Sequence, residues 1–153
     1  MDKNTEHSTP SLPEPINAGF WRRMMALLYD SLLVLGIVFF TSLMLFMISG
    51  HAYQGPLYQT FIYLLIGAFY SYFWHVRGQT LGMQAWKIKT VNDRGEILTL
   101  GECAVRFFFA TFSLAFMGLG FVWILFDPEK LAWHDRASGT RVLFLGKDAY
   151  NRD

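Results

Sequence analysis

Asp30 is the single formally charged side chain between Met24 and Ile48, a run of apolar residues long enough to cross a bilayer. A carboxylate near the membrane interior costs roughly 2.5–3.5 kcal/mol on insertion scales, so such a group has a partner or a job. Arg23 precedes it by seven residues and falls on the same helical face. A direct pair is not expected. Seven residues span ~10.5 Å along the axis, and helical side chains tilt toward the N-terminus, so the arginine leans away toward the headgroups. Asp30 should instead meet another segment. Arg106, at the start of the third apolar segment, is the first candidate; Tyr70 and Ser71 lie at comparable depth and can donate hydrogen bonds. The chemistry open to Asp30 is proton or cation binding, or the fixing of helix packing by a polar pair.

The other polar residues read more quietly. His134-Asp135-Arg136 resembles a solvated loop, and Asp127 a helix end. Gly78-Gln79-Thr80-Leu81-Gly82 lacks the ending of a phosphate-binding loop and reads as a tight turn, or as an elbow whose amides meet lipid phosphates. His51 and His75 stand alone, and the one cysteine, Cys103, has no histidine placed beside it. No metal site, cofactor or enzyme chemistry is expected, and no nucleic-acid motif accompanies the aromatic residues.

These side chains need a membrane scaffold. Apolar residues make up 53% of the 153, aromatic ones 18%, and the formal net charge is +1. The fold class expected is an all-α membrane protein. Two long transmembrane helices (22–48 and 57–75) are followed by a third helical segment (103–126), a re-entrant hairpin or a single crossing, with a small cytoplasmic β-hairpin or three-stranded element (84–100). Residues 1–18 read as a disordered cytoplasmic tail, 19–146 as the membrane domain and 147–153 as a C-terminal tail. The first apolar run is too long for a signal core, and Asp2 stands where myristoylation needs glycine. Within the insert, Gln84 to Thr90 and Glu96 to Leu100 suggest a hairpin about Asn92-Asp93-Arg94-Gly95. Thr140 to Leu145 could add a third strand. Thr99-Leu100-Gly101-Glu102 fits a capping box.

Charge bias sets the orientation. The link from Ser49 to Pro56 has no lysine or arginine, whereas Arg22, Arg23, Arg77, Lys87 and Lys89 flank the other ends. The N-terminus and the insert therefore belong in the cytoplasm. The tail carries Lys130, Arg136 and Arg141 and also reads as cytoplasmic, yet a single third crossing would export it. A re-entrant pair of short helices turning at Gly118-Leu119-Gly120 would return it. Length permits either arrangement, and the charges tip the choice toward re-entry.

Three blocks carry a resemblance. Gly19-Phe20-Trp21-Arg22-Arg23 through Tyr29-Asp30 is similar to the opening of the RDD family, named for one arginine and two aspartates. Gly78-Gln79-Thr80-Leu81-Gly82-Met83 resembles its central stretch, and Trp133-His134-Asp135-Arg136-Ala137-Ser138-Gly139-Thr140 its closing stretch. The resemblance implies that Arg23 and Asp30 are the first two signature residues and Asp135 the third, with Asp127 the less favoured alternative. Ser138, and the tryptophan before His134, depart from the family's usual residues without touching a charged position. The resemblance also implies a small bacterial inner-membrane protein. Its function would be that of a transporter or transport-associated protein for a small cation or proton. The alternative is a non-catalytic assembly or regulatory factor presenting a cytoplasmic docking module. So few spans cannot enclose a pathway alone, so the partners expected are the lipid bilayer and further copies of the chain in a homo-oligomer.

Overall fold

The computed structural model describes residues 16–146. Helix α1 (Phe20–Ser49) is the long apolar rod that its composition demands. Its most apolar stretch has a mean hydropathy of 2.5, and none of that stretch is buried inside the protein. It is therefore stable only where lipid or another apolar surface covers it. Gly50, in the left-handed region at φ 74°, ends it. Helix α2 (Pro56–Arg77) starts with proline in its first turn and ends at Gly78. Its tyrosines, serine and glutamine leave it short of the hydropathy that α1 reaches, although its 22 residues suffice in length at ~1.5 Å per residue. The two helices form an antiparallel hairpin. Ser42 meets the Tyr58 hydroxyl at 2.5 Å near the closed end, and Thr80, just past α2, reaches Asp30 near the open one.

A short helix, α3 (Leu81–Ala85), follows and packs against α1. Strand β1 (Ile88–Asn92) comes next. The turn expected at residues 92–95 forms, with Asn92 Oδ1 accepting from the amides of Arg94 (3.0 Å) and Glu96 (2.9 Å). The hairpin does not. Gln84 and Ala85 are helical, and Glu96 to Thr99 runs straight into the next helix, with Leu98 buried in the core. The partner of β1 is β2 (Thr140–Phe144), antiparallel, from Ile88 opposite Phe144 to Asn92 opposite Thr140. The sheet thus has two strands, and the run expected to be its third supplies the second. Ile16 to Ala18, assigned to a tail from sequence, lies along the free edge of β2. Ala18 N–H donates to Val142 O (2.7 Å) and Phe144 N–H to Ile16 O (2.8 Å). Arg22 stacks on the Phe144 ring at 3.9 Å and ties the start of α1 to this sheet.

Helix α4 (Leu100–Ala115) opens with the expected capping box. The Glu102 amide donates to Thr99 Oγ1 (3.3 Å), and Glu102 Oε2 accepts from the Thr99 amide (2.8 Å). After Ala115 the chain breaks and turns by 103° into α5 (Leu119–Val122), which tightens into a 3-10 turn (Trp123–Leu125). Met117 and Gly118 hold positive φ at the break. Gly120 then lies so close to Ser113 that an added Cβ would overlap its hydroxyl, which lets the bent pair close on itself. Helix α6 (Trp133–Ser138) returns to pack on α4 and leads into β2.

Candidate functional site

Two buried carboxylates, Asp30 in α1 and Asp135 in α6, are held in different ways. Asp135 lies in the first turn of α6 and is wholly buried. Its Oδ2 accepts from Arg23 Nη1, and from the amide of Ala132 at 2.9 Å. Its Oδ1 accepts from Arg106 Nη1 at 2.5 Å. Arg106 Nη1 also reaches Thr140 Oγ1 (2.6 Å). Arg23 completes its set with backbone carbonyls, Nε to Ala18 (3.0 Å) and Nη2 to Lys130 (2.9 Å). One carboxylate therefore joins the start of α1, the second turn of α4 and the start of α6, and Arg106 extends the joint to the head of β2. Both arginines hold the carboxyl of Asp135 below its ordinary value, overriding the upward push of burial.

Asp30 is as buried, at 2% exposure, but meets no cation among the described residues. Its Oδ2 accepts the Thr80 hydroxyl, and its Oδ1 accepts the Gly82 amide at 2.8 Å. Thr80 Oγ1 in turn accepts from the Met83 amide (3.2 Å), capping α3 and fixing its own proton on Asp30. Gly82 is needed for this approach. An added Cβ would overlap the Ala26 carbonyl and stand 2.9 Å from the Asp30 carboxyl carbon.

The expectations for Asp30 need correction. Arg106 is not its partner, because Asp135 takes that guanidinium. Neither Tyr70 nor Ser71 hydrogen-bonds to it; Tyr70 lines the same cavity, whereas Ser71 does not. Thr80 and Gly82 answer the carboxylate, whereas the sequence alone reads them as parts of a tight turn or of an elbow facing lipid phosphates. The available signal was a threonine in N-cap position between glycines, just past the end of a long helix. His134 and Asp135 do not belong to a solvated loop: both are buried. His134 Nε2 stands 3.6 Å from Asp135, its ring packs on Phe121, and burial pushes its pKa down to about 3 against the pull of the aspartate. It is therefore neutral at physiological pH. Asp127 takes no part in the arginine cluster. It pairs with Arg136 (2.7 Å) and accepts the Leu131 amide (2.8 Å), closing the loop before α6.

Above the two carboxylates a cavity of about 590 Å³ opens between α1, α2 and α4. Asp30, Arg23, Arg106 and His134 all line it, so both clusters face one space. Among the described residues no group of three or more histidine, cysteine, aspartate or glutamate side chains could hold a metal ion.

A profile of the RDD family matches residues 17–139, most of the chain and all of the charged cluster. The chain belongs to the RDD family. No curated protein sequence and no solved structure matches it. Family membership and the strongly apolar α1 together make this RDD protein a membrane protein.

Proposed function

We propose that this RDD protein is a transport-associated protein of the bacterial inner membrane, in which Asp30 binds a proton or small cation. The observation that carries the reading is the environment of Asp30. It is a buried carboxylate in an apolar helix, held by a hydroxyl and an amide rather than by a cation, and it faces a cavity. An arginine at that point would favour a fixed lock. A carboxylate held by neutral donors keeps its charge uncompensated, and in a bilayer such a charge attracts a proton or a cation. The signature arginine and the second signature aspartate, Arg23 and Asp135, hold the cytoplasmic end in shape. One hairpin and one bent pair do not surround a pathway, so the working unit is a homo-oligomer.

Topology follows the same reasoning. Both ends of the α4–α5 segment meet at Asp135, since Arg106 in α4 and the start of α6 contact it, and Arg23 at the start of α1 does too. A segment that begins and ends beside one residue supports re-entry over a single crossing. On this reading the N-terminus and the C-terminal tail share the cytoplasmic side, which the charge distribution favours. A tag fused after Asp153 should be reached by a label only from the cytoplasm; labelling from outside overturns re-entry.

The transport reading is tested by reconstituting wild type and Asp30→Asn in vesicles under a proton or sodium gradient. Wild type should dissipate the gradient, and the variant should fall to the rate of empty vesicles. Equal flux in both rejects the reading. If Asp30→Asn instead fails to accumulate or to stay folded, the docking-module alternative gains.

A further inference from the structure

Asp30 is met by two donors of different kinds. The Gly82 amide reaches Oδ1 at 2.8 Å, and an N–H group can only donate. Oδ1 is therefore an acceptor whatever the charge of the carboxyl. The Thr80 hydroxyl reaches Oδ2, and a hydroxyl both donates and accepts. Beyond Cβ its oxygen has three positions, one hydrogen and two lone pairs. One position meets the Met83 amide (3.2 Å) and one faces Asp30 Oδ2. The third has no partner among the described residues, and Thr80 lines the cavity. A third of a turn about Cβ–Oγ1 moves the hydrogen off Oδ2, turns a lone pair toward it and keeps the Met83 bond. Thr80 can thus serve Asp30 both as a carboxylate and as a carboxylic acid. A metal cation finds less. Hard cations take about six or more oxygen ligands. Each hydrogen bond to the Asp30 carboxyl comes from a donor. Gly82 also fills the side toward the Ala26 carbonyl, since an added Cβ would overlap that oxygen and stand 2.9 Å from the carboxyl carbon.

We infer that the ligand exchanged at Asp30 is the proton alone, bound on Oδ2, and that the Thr80 hydroxyl is the positioning group that changes from donor to acceptor as the proton arrives. This rests on the exchange proposed for Asp30 and narrows it to one ligand. On binding, a hydronium ion gives up its proton, an O–H bond forms on Oδ2 and the carboxyl becomes neutral. On release that bond breaks, the oxygen keeps the electron pair and the proton returns to water. Gly82 holds Oδ1 as the acceptor throughout, which directs the proton to Oδ2. Arg23, Tyr70, Arg106 and His134 line the same cavity from α1, α2, α4 and α6, and α3 brings no titratable side chain.

Infrared difference spectra of the full-length protein in phosphatidylcholine nanodiscs, wild type minus Asp30→Asn, isolate the C=O stretch of protonated Asp30. The band is titrated against pH in sodium chloride and in choline chloride. It should grow as pH falls, with one midpoint in both salts. A cation competing for the carboxylate would lower the midpoint by about one pH unit for each tenfold rise in sodium. That result overturns the inference, as does a band that never forms in the folded protein. Thr80→Ser keeps the hydroxyl and should leave the band in place. Thr80→Val keeps the shape and removes the hydroxyl, so the acid loses one hydrogen bond and the band should move to higher wavenumber. An unmoved band in a folded Thr80→Val overturns the role of Thr80. If Thr80→Val does not fold, the wild-type band decides, because a position typical of an acid whose O–H donates to nothing overturns that role equally. A sodium-independent midpoint with no flux in vesicles removes the transport reading and leaves proton binding at Asp30 standing. Flux with a sodium-dependent midpoint does the reverse.

Discussion

Asp135 and Asp30 are both buried carboxylates of one small protein, yet of the two only Asp135 has its charge met by cations among the described residues. Asp135 is shared by two guanidiniums and an amide, with every partner drawn from a different element. Asp30 has a hydroxyl and an amide from a single turn. The first arrangement resists any change of charge, because protonating Asp135 would strand two buried arginines. The second tolerates such a change, because neutral donors lose little when the carboxylate gains a proton or a cation. The difference separates a joint that must hold from a group able to exchange.

The largest effect expected is at the joint. Asp135→Asn removes the charge shared by Arg23 and Arg106 and leaves both buried without compensation. Breaking a buried pair in this way costs about 3–5 kcal/mol, a large part of the stability of a small domain. The variant should accumulate poorly and melt far below wild type in detergent. Asp30→Asn keeps the shape and one acceptor oxygen and should cost about 0.5–1.5 kcal/mol. Equal losses in the two variants would erase the distinction.

Gly82 sharpens the Asp30 side of the comparison. Gly82→Ala sets a methyl against the Ala26 carbonyl, and α3 must lift from α1 to admit it. Overpacking of this kind costs about 1–3 kcal/mol. Since the same shift moves the amide away from Asp30, Gly82→Ala should also depress flux in the vesicle assay while Asp30 remains in place. A stable variant with full flux would mean that the amide contact does nothing for Asp30.

What could be read beforehand follows from how local each feature is. The apolar run of α1 and the Thr99–Glu102 cap depend on neighbours in sequence, and both were legible. The bend at Gly118 was legible as a weak point, because glycine marks positions that side chains disfavour. The pairing of β1 was not. Asn92 and Gly95 make a sound turn, but Leu98 is drawn into the core and His75 bonds its carbonyl at 2.8 Å, so the chain cannot fold back. The strand then finds Thr140–Phe144, about fifty residues away, which no period-two pattern discloses. The partners of Asp30 were hidden for a similar reason. Arg106 has the complementary charge, but Asp135 offers it a site that two other segments also need. Charge complementarity alone cannot rank two carboxylates; the topology does.

His134 gives the finest test of the joint, through pH. Its folded pKa is about 3, held down by burial, against 6.5 for the free side chain. The unfolded chain therefore binds the extra proton first on acidification. Stability from the neutral, buried imidazole is complete above pH 6.5 and is lost progressively as pH falls toward 3. The slope across that window is at most ~1.36 kcal/mol per pH unit for one proton. Asp135, whose folded value lies below 3.8, adds its own loss only under more acid conditions. The wild-type melting temperature should thus be flat above neutrality and fall between pH 6.5 and 4.5. His134→Gln, which cannot titrate, should flatten that fall while leaving the steeper decline below pH 4 intact. An unchanged profile in the variant would place the acid sensitivity on some other group, and would show that the imidazole beside Asp135 is not held neutral by its burial.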